Sequence, residues 1–205
     1  KFVPICQVSA ISGVIVKIAD GSALIVTNRH VVDPAFSGSG GSTLDDLSAL
    51  MVKMVGQPAI AGRTVWVAPD DVDLALVSVP LVSTEPLKAI WNATPGIQIG
   101  DAVFAVGNPH GLGWTHTGGD VSQIRRQSSG GFGYRVIQTS AAINPGNSGG
   151  GLYDHEGNLI GINTWTRDKR FAEGLGFAIM FQTLLELAPE QFQLPESQAP
   201  ESAPE

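Results

Sequence analysis

Three short segments hold side chains that can do chemistry. They are Ile25-Val-Thr-Asn-Arg-His-Val-Val32, Asp71-Val-Asp-Leu-Ala-Leu-Val77 and Ala142-Ile-Asn-Pro-Gly-Asn-Ser-Gly-Gly150. In the third, Ser148 follows Gly146-Asn147 and precedes Gly149-Gly150. A serine among glycines can sit in a sharp turn, with its hydroxyl exposed and the surrounding amides free. Acyl transfer needs that arrangement, a nucleophile beside donors for an oxyanion. Gly146, Asn147 and Ser148 form the candidate oxyanion turn, with the Gly146 and Ser148 N–H groups as its donors. On this stretch alone, a glycine-rich turn with an incidental serine reads equally well.

The same residues match G-x-S-x-G, the nucleophile elbow of a strand-turn-helix hydrolase, in which an acid and then a histidine follow the serine. The only histidine after Ser148 is His155, in a polar Asp-His-Glu-Gly-Asn turn, and no helix pattern follows the serine directly. The elbow reading therefore fails. The order that remains is His30, Asp73, Ser148. His30 ends a β-like run and would act as general base toward Ser148, then return the proton to the leaving amine. Asp73 precedes an apolar strand pattern, where a carboxylate is costly unless paired. Bonding to the His30 ring would pair it and fix the imidazole tautomer. A structural histidine and a strand-edge acid are the bland alternatives for these two.

Short strands must position these groups. Val/Ile/Thr runs bounded by Gly, Asp, Asn or Pro predict strands at Gly13–Ile18, Ser22–Thr27, Thr64–Ala68, Asp73–Val79 and Asp101–Val106. Others are predicted at Asp120–Arg126, Tyr134–Thr139, Gly150–Tyr153, Leu159–Trp165 and Gly176–Met180. Ala19-Asp20-Gly21 between the first two signals a hairpin. A helix is expected from Ser42 or Thr43 to about Met54, with Leu44, Leu47, Leu50, Met51 and Met54 on one face. A second runs from Met180 to Leu187, stopped by Pro189. Residues 33 to 41 read as a loop, and 189 to 205 as a Pro/Glu-rich tail or linker. Ten or so short strands indicate an all-β barrel or sandwich.

Composition agrees with this pattern. The chain has 205 residues, of which 25 are glycine and only 15% charged. Its net charge of −7 offers no basic field for nucleic acid or an anionic membrane. Four of the acids, Glu190, Glu196, Glu201 and Glu205, lie in the tail. The single Cys6 excludes an internal disulfide and any cysteine-based zinc site. No apolar run is long enough to span a membrane, and no signal peptide is visible. His110 and His116 lack nearby carboxylate or thiol partners and read as loop histidines, so no metal is expected. Arg167, Lys169 and Arg170 read as a solvated loop.

At these motifs the sequence resembles the HtrA/Deg branch of the trypsin-like serine peptidases. Besides the three segments, Ser12-Gly-Val-Ile-Val16 with Asp20-Gly21 is similar to that family's first hairpin. Val106-Gly-Asn-Pro-His-Gly-Leu-Gly113, Asn158-Leu-Ile-Gly-Ile-Asn-Thr164 and Gly174-Leu-Gly-Phe-Ala-Ile179 extend the resemblance over residues 12 to 182. It implies two perpendicular six-stranded barrels, roughly residues 1 to 90 and 91 to 188, with a short inserted helix and a C-terminal helix. It implies a cofactor-free endopeptidase acting on unfolded or exposed polypeptide segments. The catalytic residues would be His30, Asp73 and Ser148. Substrate would add as a strand along Ile162, Asn163, Thr164 and Trp165. Ile143, with Asn144 beside it, Thr164, Trp165 and Phe177 would line a P1 pocket for small or medium aliphatic side chains. The resemblance also implies the cell envelope or periplasm, although the lack of a signal peptide leaves the cytoplasm open. A homo-oligomer or an activating partner would fit the family. A latent peptide-binding scaffold and a processing protease with one partner are the alternatives. The reading places no PDZ domain within these residues and leaves open whether one follows them, and Gly151, where the family usually has Pro, is expected to loosen the turn.

Overall fold

The computed structural model describes residues 5–8, 11–36, 42–47, 49–55, 57–82, 87–92, 96–108, 114–144, 146–164 and 175–192. Its strands close into two six-membered antiparallel barrels. The first contains β1 (Ile5–Val8), β2 (Ile11–Ala19), β3 (Ser22–Thr27), β4 (Leu50–Met54), β5 (Ala59–Val67) and β6 (Ala75–Pro80), in the order β1-β2-β3-β6-β5-β4. The second contains β7 (Ala102–Gly107), β8 (Thr115–Ser129), β9 (Phe132–Thr139), β10 (Gly151–Asp154), β11 (Leu159–Thr164) and β12 (Gly176–Met180), ordered β10-β11-β12-β9-β8-β7. Short helices are α1 (Arg29–Val32), α2 (Phe181–Leu187) and α3 (Pro189–Phe192). The β2–β3 turn places Asp20 at φ 51° and Gly21 at φ 69°. Positive φ at both central residues is the hairpin geometry that matches strand twist.

Three apolar clusters explain why these strands read as nearly continuous hydrophobic runs. Ile15, Ile25, Val52 and Val77 fill the first barrel, and Val121, Ile137, Leu152 and Ile160 fill the second. A third cluster joins them. It takes Val14, Val26 and Leu76 from the first barrel, Val106, Ile162 and Ile179 from the second, and Phe181, Leu184 and Phe192 from the helices. Ile25 thus points into a barrel while Val26 points into the seam, so both faces of β3 are buried.

Two expectations are corrected. The helix expected over 43 to 54 is one 3₁₀ turn, Leu44–Asp46, followed by strand β4. Val52 and Met54 are fully buried whereas Met51 is 52% exposed, an alternation of period two. Pairing with β1 and β5, which closes the barrel, wins over the helical spacing of the leucines. Nor does Pro189 begin a tail. It opens α3, where a proline at the first helical position loses no hydrogen bond. Phe192 then packs edge-on against Trp91 and Phe181, at 5.7 and 6.1 Å between ring centroids. Residues 193–205 and 37–41 lie outside the described residues.

Candidate active site

The first barrel holds an imidazole and a carboxylate at one end. β3 pairs with β6, Thr27 opposite Ala75. The helix after β3 therefore starts beside the loop before β6, and His30 meets Asp73. His30 Nδ1 lies 2.7 Å from Asp73 Oδ2, and the His30 backbone N–H donates to Oδ1 at 2.9 Å. Thr164 Oγ1, from the second barrel, donates to Oδ2 at 3.0 Å. Asn28 Nδ2 donates to the Asp73 carbonyl at 2.9 Å, and Arg29 Nη1 to the Ala68 carbonyl at 2.7 Å. Both residues at the start of α1 therefore grip the loop that carries Asp73. A carboxylate on Nδ1 leaves Nε2 as the proton acceptor of the neutral ring. The His30 side chain is 33% exposed, so that nitrogen can be reached from solvent.

Arg29 is itself held by Asp33, Nε to Oδ2 at 3.5 Å, and lies over the Phe36 ring. Burial pushes the Asp33 carboxyl up. Hydrogen bonds from Ser42 and Ala35, with the Arg29 charge, outweigh that and leave it below its ordinary value.

Ser148 sits in the turn that leads into β10. The Asn147 N–H donates to the Asn144 carbonyl, and the Gly150 N–H to the Asn147 carbonyl, each at 2.9 Å. The Gly149 N–H donates to Asn163 at 2.9 Å. The Gly146 and Ser148 N–H groups make no hydrogen bond among the described residues. The Asn147 N–H is used within the turn, which leaves the Gly146 and Ser148 amides as the candidate donors. The Asn147 side chain is buried against Gly107, where a Cβ would lie 2.7 Å from Asn147 Cα. Gly146 has φ 96° and Gly149 φ 79°. A Cβ on Gly149 would fall 2.2 Å from the Ser12 carbonyl oxygen, so the turn needs glycine there. Ser148 is 4% exposed, and no hydrogen bond joins its hydroxyl to the His30 ring among the described residues. Catalytic hydrogen bonds are often long before substrate binds. Gly151, expected to loosen this turn, is a buried strand residue. The Tyr153 ring occupies the space of its missing side chain, 2.5 Å from where a Cβ would be.

The substrate-side residues divide differently from the expectation. Both Ile162 and Asn163 are fully buried; Ile162 pairs with β10 and β12, and Asn163 with β12 and with the turn before β10. The Asn163 N–H and carbonyl bond Gly150 and Gly149, so neither residue can take an added strand. Thr164 is half-buried, at the end of β11, and its hydroxyl serves Asp73. Ile143 packs over Gly176, whose Cβ would lie 2.4 Å from it, and contacts the second-barrel cluster. Phe177, the next residue of β12, packs against the seam cluster instead. Adjacent strand residues face opposite ways, so Gly176, with Ile143 over it, and Phe177 present opposite faces of β12. Asn144 is exposed and contributes its carbonyl to the turn. Trp165, His110 and the Arg167 to Arg170 run lie outside the described residues. His116 is exposed on β8, its ring 5.2 Å from that of Phe104.

Sequence reasoning missed Asn28, Arg29 and the Thr164–Asp73 bond. The first two lie inside the Thr-Asn-Arg-His motif but carry no local mark of their loop partners. Thr164 meets a carboxylate 91 residues away, through packing between barrels.

This geometry has relatives. Residues 11–162 match the family model described as a trypsin-like peptidase domain. The serine protease Do-like HtrA of Bacillus subtilis is 36% identical over 188 residues, 87% of this chain and 38% of that protein. The serine endoprotease DegS of Escherichia coli is 37% identical over 176 residues, 83% of this chain and 45% of that protein. A solved structure of the HtrA-type protease AlgW with decapeptide superposes with a TM-score of 0.70 at 34% identity, covering 90% of this chain and 52% of that one. The chain thus spans between 38% and 52% of the length of these relatives. Two closed barrels, a match over residues 11–162 and relatives of HtrA/Deg type place this chain in the trypsin-like peptidase domain family.

Proposed function

We propose that this chain is a serine endopeptidase in which Ser148 attacks the peptide carbonyl. His30 Nε2 takes the serine proton and returns it to the leaving amine, and Asp73 holds the imidazole in the accepting tautomer and stabilises the imidazolium. The oxyanion is met by two backbone donors, the N–H groups of Gly146 and Ser148. One donor of this kind is worth about 10²–10³ in rate. The observation that carries the reading is the His30–Asp73 clasp, 2.7 and 2.9 Å, together with a turn in which the Gly146 and Ser148 amides make no hydrogen bond among the described residues.

Ile143, packed over Gly176, is the apolar side chain that would meet P1, which suits small or medium aliphatic residues. A substrate strand would add beyond Thr164, because the backbone before it is already paired. Substrates are polypeptides in unfolded or exposed segments. A relative named periplasmic serine endoprotease DegP supports an envelope location. Among the described residues no helix is long and apolar enough to cross a membrane.

Labelling with a fluorophosphonate probe, read by intact mass, tests the chemistry. One adduct is expected on the wild type and none on Ser148→Ala, whose melting should be nearly unchanged. An adduct that persists in Ser148→Ala removes the nucleophile assignment. Folded wild-type protein that takes no label would point to a peptide-binding module on a protease fold.

A further inference from the structure

Ser12 lies at the start of β2 in the first barrel, yet its bonds reach into the nucleophile turn of the second. It is fully buried. Its N–H donates to the Ser148 carbonyl at 3.2 Å. Its hydroxyl donates to the Gly146 carbonyl at 2.7 Å and accepts from the Asn108 N–H at 2.9 Å. Its carbonyl accepts from Thr27 Oγ1 at 2.8 Å, two residues before α1. Every polar group of this residue is thus engaged, and three of its four bonds cross the seam.

The peptide planes of the turn show what those bonds do. The plane between Gly146 and Asn147 is held at its oxygen by the Ser12 hydroxyl and at its nitrogen by the Asn144 carbonyl. The plane between Ser148 and Gly149 is held by the Ser12 N–H and the Asn163 carbonyl. The plane between them is held at the Asn147 carbonyl by the Gly150 N–H, which leaves the Ser148 N–H free. No such bond fixes the Gly146 N–H among the described residues, and as a glycine Gly146 has few steric limits on its own rotation. Its N–H belongs to the preceding plane, so once the Gly146 carbonyl is held, only the φ and ψ of Gly146 itself separate that amide from the fixed plane.

We propose that Ser12 is a positioning residue for the reaction proposed above, its hydroxyl holding the Gly146 carbonyl so that the Gly146 and Ser148 amides converge on one oxyanion. The inference rests on that reading of Ser148 and adds a residue that never touches substrate. Ser12→Ala leaves the Gly146 carbonyl and the Asn108 N–H without their shared partner. The Gly146 amide then has more than one orientation, and a part of one donor's contribution is lost. A full donor is worth about 10²–10³ in rate, so a loss of about 10- to 100-fold in kcat is expected, with KM within about threefold.

The test compares wild type, Ser12→Ala, Ser12→Thr, Ser12→Cys and Ser148→Ala. Three quantities are measured on each: the fluorophosphonate labelling rate, kcat and KM on a peptide anilide with Val at P1, and the affinity for the matching peptide boronic acid. The boronate forms a tetrahedral adduct and needs the hole, whereas KM for the anilide reports ground-state contacts. Ser12→Ala should lose labelling rate, kcat and boronate affinity together while KM stays. Ser12→Thr, which keeps a hydroxyl, should recover most of the loss. Ser12→Ala that is folded and within twofold of wild type in kcat overturns the proposal. If Ser12→Ala does not fold, Ser12→Cys decides, since a thiol is a weak donor of similar size. A graded loss in kcat and boronate affinity supports the proposal, and unchanged values overturn it. A change confined to melting temperature or KM also overturns it. Wild type that takes no label would overturn the endopeptidase reading and this inference with it, which separates that failure from a silent Ser12→Ala.

Discussion

Replacing Asp73 with Asn tests the His30 tautomer with almost no change in shape. The outcome follows from which donors surround the carboxylate. Oδ1 accepts the His30 backbone N–H at 2.9 Å, and that donor cannot turn away. In Asp73→Asn the amide oxygen must take this position, so the NH₂ falls where Oδ2 was. There it faces His30 Nδ1 at 2.7 Å and the Thr164 hydroxyl at 3.0 Å. The hydroxyl can rotate and accept, but the imidazole must give up its Nδ1 proton to accept as well. The neutral ring then carries its proton on Nε2 and cannot take the Ser148 proton. Loss of the correct tautomer costs about 10⁴ in kcat in enzymes of this design. At about 1.36 kcal/mol per factor of ten, that corresponds to about 5.4 kcal/mol of transition-state stabilisation. The assay is kcat on a peptide anilide together with the fluorophosphonate rate, with urea unfolding to show that the variant is folded. A loss under tenfold would refute the reasoning and move the acid role to Asp70 or Asp71. The structure speaks against both: the Asp70 carboxylate packs against Gly130, and Asp71 is exposed.

Other perturbations test the supports. Gly149→Ala puts a Cβ 2.2 Å from the Ser12 carbonyl oxygen and 2.3 Å from Thr27 Oγ1, at φ 79°. Left-handed backbone alone costs about 1–2 kcal/mol, so urea unfolding should show a loss above that, and a loss below about 1 kcal/mol would contradict the close approach. Asp33→Asn removes a carboxylate held below its ordinary value of 3.8. A depressed acid stabilises the fold above its unfolded pKa and ceases to do so as pH falls through the folded one. The stability gap between wild type and Asp33→Asn should therefore be full at neutral pH and shrink below about pH 4, and a gap that is flat from pH 7 to 3 would be inconsistent with the Ser42 and Arg29 contacts. Phe192→Ala removes a ring that is 8% exposed from the seam cluster. Thermal and urea melts should show about 3 kcal/mol lost, the low end for a buried phenylalanine, and a neutral result would mean that α3 does not pack on Trp91.

The three segments that could do chemistry were legible because each needs a local device that sequence displays. Ser148 needs glycines at 146 and 149 to reach positive φ, and His30 and Asp73 flank strand patterns that pair with each other. Contacts between elements far apart in the chain left no such trace. Ser12 meets Gly146 across 134 positions and Thr164 meets Asp73 across 91. Nothing in a serine or a threonine announces that partner. The pocket side chains were less legible: Ile143 lies over Gly176, and Phe177 beside it points to the other face by strand alternation. β4 was misread because Leu50 and Met54, which fit a helix face with Leu44 and Leu47, also fit the alternation Leu50, Val52, Met54 of a strand once β1 and β5 lie on either side.

The placement of the site follows from the two closures. A closed barrel has no free edge, so each of its strands is held by pairing on both sides. The chemistry is carried instead by segments just beyond strand ends: α1 after β3, the loop before β6, and the turn before β10. Each is anchored within its own barrel, and their alignment depends on bonds that cross the seam. The Thr164 hydroxyl fastens the carboxylate to the second barrel, and Ser12 fastens the nucleophile turn to the first. These two ties run in opposite directions, so each barrel supplies one support for the other's reactive group. A slip between barrels would therefore disturb the His30–Asp73 pair and the Ser148 turn together. The apolar cluster between the barrels is what resists that slip, which links packing at Phe181, Leu184 and Phe192 to the geometry of a site that none of them touches.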